Sequence, residues 1–143
     1  MTIVFEKTPQ RRSKILLAED EQSVRRAFQL SLTAAGFDVR AFGSGAMLLA
    51  DTASQDADCL VTDLNLGDNN GIELLTSLRA RGWRGPALLV TGSTVKDIPE
   101  RAKAAGFAAV LIKPILGGIL ADAVARVLPS HRARGSASAG VQA

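Results

Sequence analysis

Five short runs, each followed by a segment of helical period, constrain this chain more than any other feature. KILLA (14–18), DVRAF (38–42), DCLVT (58–62), PALLVT (86–91) and FAAVLI (107–112) have the length and the Val, Ile, Leu and Phe content of strands. The segments between them read as helices. SVRRAFQLSLTAAG (23–36) puts Val24, Ala27, Phe28, Ser31, Leu32 and Ala35 on one face and stops at Gly36. Ser44 is suited to cap a second helix that runs through Ala50. GIELLTSLRAR (71–81) is the third helix. The fourth opens at Asp97, where Glu100 completes a capping-box pattern and Pro99 sits in the first turn, and it ends at Gly106. LGGILADAVARVL (116–128) is the fifth, with Leu116, Leu120, Ala123 and Val127 along one side.

Strand and helix in strict alternation call for an α/β fold: a doubly wound, five-stranded parallel sheet with five helices covering both faces. In such sheets ligands bind outside the carboxyl ends of the strands. Glu19 and Asp20 follow the first strand, Asp63 ends the third, Thr91 ends the fourth and Lys113 follows the fifth. All of them should therefore emerge at one edge.

The 143 residues, 47% hydrophobic, suit one domain with a proper core and are too few for two ordinary ones. A net charge of +3 raises the question of nucleic acid, but the basicity lies at the ends. Residues 1–14 carry Lys7, Arg11, Arg12 and Lys14 against Glu6, and residues 129–143 carry Arg132 and Arg134 with no acid. The body, 15–128, holds 11 basic and 13 acidic residues, so nucleic-acid binding is not expected of the domain itself. Residues 1–13 are expected to be a flexible extension, 14–128 the domain, and 129–143, rich in Ser, Ala and Gly, a disordered tail or linker. The single cysteine, Cys59, lies in an apolar run, which excludes a disulfide framework and points to a small core residue in a reducing compartment. No apolar stretch reaches the length of a membrane span, and the first residues lack the order of a signal peptide. The expected location is the cytoplasm, with no membrane partner.

Three carboxylates brought to one small region repel one another, and Lys113 supplies a single positive charge. A hard divalent ion held by oxygen ligands, Mg²⁺, is the natural remedy. A central aspartate can then act as a nucleophile toward phosphorus, with a Thr hydroxyl and a Lys ammonium to meet the phosphoryl oxygens. The only histidine, His131, lies in the tail and is expected to be solvent exposed.

The segments LLAED (16–20), LVTDLNLGDNNG (60–71), LLVTGS (88–93) and LIKP (111–114) together resemble the receiver domain of two-component response regulators, over about residues 14–128. The resemblance implies a flavodoxin-like sheet of order 2-1-3-4-5. It implies that Asp63 is the phosphoacceptor, that Asp20 binds Mg²⁺ directly, Glu19 through water and Asn65 through its backbone carbonyl. It further implies that Thr91 and Lys113 hold the phosphoryl group and that the Lys113–Pro114 bond can be cis. The donor would be a sensor histidine kinase or a histidine phosphotransfer protein, and the output a downstream protein partner or an attached output domain. A homodimer is compatible with this pattern. Such a domain assists its own phosphorylation and is not a turnover enzyme.

Two positions depart from the pattern. Val110 stands at the switch position, where the family usually has an aromatic residue, and Gly67 stands where many members have proline. Gly67, Asn69 and Asn70 lead to the expectation of a mobile loop after Asp63. A phosphatase of the haloacid dehalogenase type needs a second aspartate two residues after the nucleophile, where this chain has Asn65, and no phosphate loop of the G-x-x-x-x-G-K-[ST] form is present. The remaining alternative is a receiver-like scaffold that acts without phosphorylation.

Overall fold

The computed structural model describes residues 11–93 and 96–129. The extension 1–10, the tail 130–143 and His131 lie outside them. Five strands, β1 (Lys14–Ala18), β2 (Asp38–Phe42), β3 (Cys59–Asp63), β4 (Ala87–Thr91) and β5 (Ala109–Ile112), alternate with five α-helices. These are α1 (Gln22–Ala34), α2 (Gly45–Ala50), α3 (Gly71–Ala80), α4 (Ile98–Ala105) and α5 (Ile119–Val127), with a short 3-10 helix over Thr52–Asp56 that the sequence pattern does not announce. The sheet is parallel, in the order β2-β1-β3-β4-β5. The expected doubly wound, flavodoxin-like architecture is the one observed.

The two-residue side-chain period of the strands divides the interior into two cores. Leu16, Ala18, Leu60 and Leu89 point to the side covered by α2, α3 and α4, where they meet Leu48, Leu74, Leu75, Leu78, Ile98 and Ala102. Ile15, Leu17, Val61, Leu88 and Val90 point to the other side and meet Phe28 and Leu32 of α1 and Leu120 and Val124 of α5. Each of the fully enclosed leucines contributes about 1.5–3 kcal/mol through the apolar area it removes from water. Cys59 belongs to the second core, and burial pushes its thiol up to about 12. Residues 11–13 lie against the domain: the Ser13 carbonyl accepts the Asp38 N–H, and Arg11 pairs with Asp58 at 3.1 Å.

Helix ends show where local pattern and packing disagree. Ser44 accepts the Met47 N–H as expected of an N-cap, and α4 does end at a left-handed Gly106, φ 103°. The capping box at Asp97 does not form. Asp97 has helical backbone angles, so its carboxylate does not reach back over the helix start. The fifth helix begins at Ile119 and not at 116, because Gly117 is left-handed (φ 59°) and Gly118 becomes the N-cap. Leu116 is consequently exposed, and the buried stripe is Leu120, Ala121, Val124 and Leu128, with Ala123 and Val127 half-buried. On α1, Ala27 and Ala35 are exposed, and Phe28 and Leu32 carry the buried face.

Candidate functional site

Parallel pairing sets the strand ends level. Ala18 lies opposite Thr62, Asp63 opposite Val90, and Thr91 opposite Ile112. The ladder continues one step beyond the strands on either side: the Glu19 N–H donates to Phe42 O at 3.1 Å and the Lys113 N–H to Thr91 O at 2.8 Å. These bonds fix the Glu19 backbone to the end of β2 and the Lys113 backbone to the end of β4, at the same sheet edge as Asp63. The Lys113 ammonium then donates to Glu19 Oε1 at 2.9 Å and to Asp63 Oδ2 at 3.0 Å. Glu19 and Asp63 are buried, Asp20 is exposed, and one carboxylate oxygen from each of the three lies within 4.8 Å of the others. Asp63 thus ends a strand whose five residues are all buried. The peptide bond from Lys113 to Pro114 is cis.

Electrostatics follow from this crowding. Burial raises the Glu19 carboxyl above its ordinary value, and the Asp63 charge adds to the rise, against hydrogen bonds from Lys113 and from the Glu21 N–H. The Lys113 ammonium loses solvation on burial, yet its bonds to Glu19 and Asp63 outweigh that loss and hold it above the usual lysine value. An all-oxygen set with more negative than positive charge fits a hard divalent cation. Glu19, Asp20 and Asp63 are the residues that would hold it.

The loop after Asp63 is tied down at both ends, contrary to the mobility expected from its Gly and Asn content. The Asn65 N–H donates to Asp63 Oδ1 at 3.2 Å, and Leu66 is buried. Asn65 and Asn70 form an antiparallel bridge made by Leu66 N–H to Asn69 O and Gly71 N–H to Leu64 O. That bridge uses the backbone groups on either side of Asn65 and leaves the Asn65 carbonyl outside it. The capping box absent at Asp97 occurs here instead. Asn70 Oδ1 accepts the Glu73 N–H at 2.8 Å, and Glu73 Oε1 accepts the Asn70 N–H at 3.1 Å. The N-x-x-E spacing was a legible signal for it. Within this loop Gly67 takes a left-handed turn, φ 81°.

A cleft of about 550 Å³ opens over Asp63, lined also by Asn65, Asn70, Thr91, Lys113 and Arg101. Thr91 Oγ1 accepts the Ser93 N–H at 2.9 Å, which leaves its hydroxyl hydrogen free to be donated into the cleft. Arg101, on α4, has no counterpart in the sequence reading; its distance from the strand ends along the chain hid it. Val110 is half-buried, packs on the first core and lines a separate groove with Pro99, Lys103, Phe107 and Ile112.

A family model for the response regulator receiver domain matches residues 15–125. The chain belongs to that family. Among solved structures, this receiver superposes on the Vibrio cholerae chemotaxis protein CheY4 with a TM-score of 0.77 and 27% identity, covering 82% of this chain and 100% of that one. The alginate biosynthesis transcriptional regulatory protein AlgB of Pseudomonas aeruginosa is 30% identical over 110 residues, which are 77% of the receiver and 24% of AlgB. The transcriptional regulatory protein PrrA of Mycobacterium tuberculosis is 29% identical over 123 residues, 86% of the receiver and 52% of PrrA. The chain therefore spans about a quarter to about a half of the length of these curated relatives. As a receiver it is a signalling domain of two-component systems. No helix among the described residues is long and apolar enough to cross a membrane.

Proposed function

We propose that Asp63 accepts a phosphoryl group from a sensor histidine kinase or a histidine phosphotransfer protein in a Mg²⁺-dependent reaction, and that the receiver changes partner binding in response. The observation that carries this reading is the Lys113 ammonium held between Glu19 and Asp63, with Asp20 and Thr91 beside them at the same sheet edge. An Asp63 carboxylate oxygen forms the new bond to phosphorus as the phosphorus–nitrogen bond of the donor histidine breaks, and the imidazole leaves with that electron pair. Lys113 and the Thr91 hydroxyl meet the phosphoryl oxygens, where charge builds up. Asp20, Asp63 and the Asn65 carbonyl, with Glu19 through water, would hold Mg²⁺, which would supply charge neutralisation there. The unit that does this is residues 14–128, working in the cytoplasm without turnover of an external substrate.

Two relatives are transcriptional regulatory proteins, and the chain also matches the sensory/regulatory protein RpfC of Xanthomonas campestris at 29% identity over 136 residues, 19% of RpfC. The output is accordingly read as a downstream partner or an attached output domain, reached through the face of α4, β5 and α5. Acetyl phosphate and Mg²⁺ should place acid-labile phosphate on the wild type and none on Asp63→Ala. No labelling of the wild type, or equal labelling of both, refutes the reading. Val110 favours one second reading, a scaffold that acts without phosphorylation, because a half-buried valine cannot swing between two states as an aromatic ring does. Backbone NMR shifts of the α4–β5–α5 face that stay unchanged on adding beryllofluoride would favour it.

A further inference from the structure

We propose that Arg101 is a second cation for the phosphoryl group, reaching it from α4, so that α4 itself registers the state of Asp63. The inference rests on Asp63 being the phosphoacceptor and adds to that reading the residue that couples the site to a helix. Its first ground is position: Arg101 lines the same cleft as Asp63, Thr91 and Lys113. Its second is charge. The Lys113 ammonium already serves two carboxylates, at 2.9 and 3.0 Å, whereas among the described residues no ion pair involves Arg101. Phosphorylation replaces a single negative charge with roughly two, and an arginine fork suits phosphoryl oxygens better than any other side chain. The third is mechanical. The Arg101 N–H donates to Asp97 O at 2.9 Å, and the neighbouring Ile98 and Ala102 are buried, so a pull on the exposed side chain acts on the helix as a body. Pro99 and Lys103 of that helix line the groove beside Val110 and Ile112. Arg101 thereby supplies a link from the site to this face that Val110 cannot supply.

The test is a beryllofluoride titration of the ¹⁵N-labelled full chain in Mg²⁺, with Arg101→Gln, Arg101→Lys and wild type compared at low salt. The wild type should shift the amides of Asp63, Thr91 and Lys113 together with those of Ala102 and Lys103. Arg101→Gln, with an unchanged far-UV spectrum, should need about tenfold more beryllofluoride for half-saturation and should lose the α4 shifts while keeping those of the strand ends. Arg101→Lys should keep the charge and most of the response, and the gap between wild type and Arg101→Gln should narrow at 0.5 M salt, where the screening length is only about 4 Å. If the wild type responds and Arg101→Gln responds identically in affinity and in α4 shifts, the Arg101 inference is overturned and the phosphoacceptor reading stands. If the wild type shows no shift at Asp63, Thr91 and Lys113, both fall.

Discussion

Gly71 is where the site depends most directly on a missing side chain. A Cβ built there would lie well inside van der Waals contact with the Asp63 carbonyl oxygen, 2.9 Å from Thr62 Cγ2 and 3.1 Å from Leu89 Cδ1, where ordinary contact begins near 3.4 Å. Two of these neighbours belong to β3 and the third to β4, and the first is backbone, so Gly71→Ala must push α3 away from the strand that carries Asp63. Overpacking of this kind costs about 1–3 kcal/mol. The stiffer unfolded chain returns about 0.4–1 kcal/mol, for a net loss of roughly 1–2 kcal/mol. In a domain of this size that lowers Tm by roughly 4–10 °C. Trp83 is the only tryptophan and is buried, so its fluorescence can follow thermal unfolding. Gly92→Ala is the control, since a Cβ there meets no described atom within 4 Å, and it should change Tm by no more than about 2 °C. Labelling of Asp63 by acetyl phosphate, measured well below both melting points, should fall in Gly71→Ala, because the displaced turn carries Asn65 and the Gly71–Leu64 hydrogen bond. A Gly71→Ala protein that melts at or above the wild-type temperature would refute the packing argument.

Three further outcomes are expected. Mg²⁺ should stabilise the wild type by about 2.7 kcal/mol at a hundred times its Kd, seen as a higher urea midpoint, and Asp20→Asn, which alters an exposed carboxylate, should fold normally in chelator but lose most of that gain in a Mg²⁺ titration. Asn70→Ala removes the Oδ1 that accepts the Glu73 N–H, keeps the backbone N–H that donates to Glu73 Oε1, and should cost about 1 kcal/mol in urea denaturation, with faster amide exchange at Glu73. The Asp51 carboxyl is held below its ordinary value by the Ala53 N–H and then by Arg40. A lowered folded pKa contributes stability above the unfolded value near 3.8 and loses it as pH falls through the folded one, so the deficit of Asp51→Asn against wild type should be constant near pH 7 and shrink progressively below about pH 4 in pH-dependent urea melts.

The alternation of apolar runs and helical segments determined the number of strands, their parallel sense and the edge at which Glu19, Asp63 and Lys113 meet. Each of these follows from local period and from the geometry of crossovers, which any strand of that length and pattern obeys. Ser44 and Gly106 were legible for the same reason, because a cap is decided within one turn of backbone. Capping at Asp97 and the start of α5 at Leu116 were not. Equivalent local signals occur at Asn70 and Glu73, and which of them forms depends on how the neighbouring chain arrives. Asn70 approaches through a bridge to Asn65 that turn composition does not announce, and Leu116 is held out of α5 by the left-handed Gly117. Arg101 was invisible for a stronger form of this reason: only the folding of α4 over the end of β4 brings residue 101 to the cleft above residue 63. Sequence alone thus determined the chemistry available at the sheet edge, because periodicity is a local property. Tertiary structure decided which helix cation faces Asp63, because that is a distance between segments far apart along the chain.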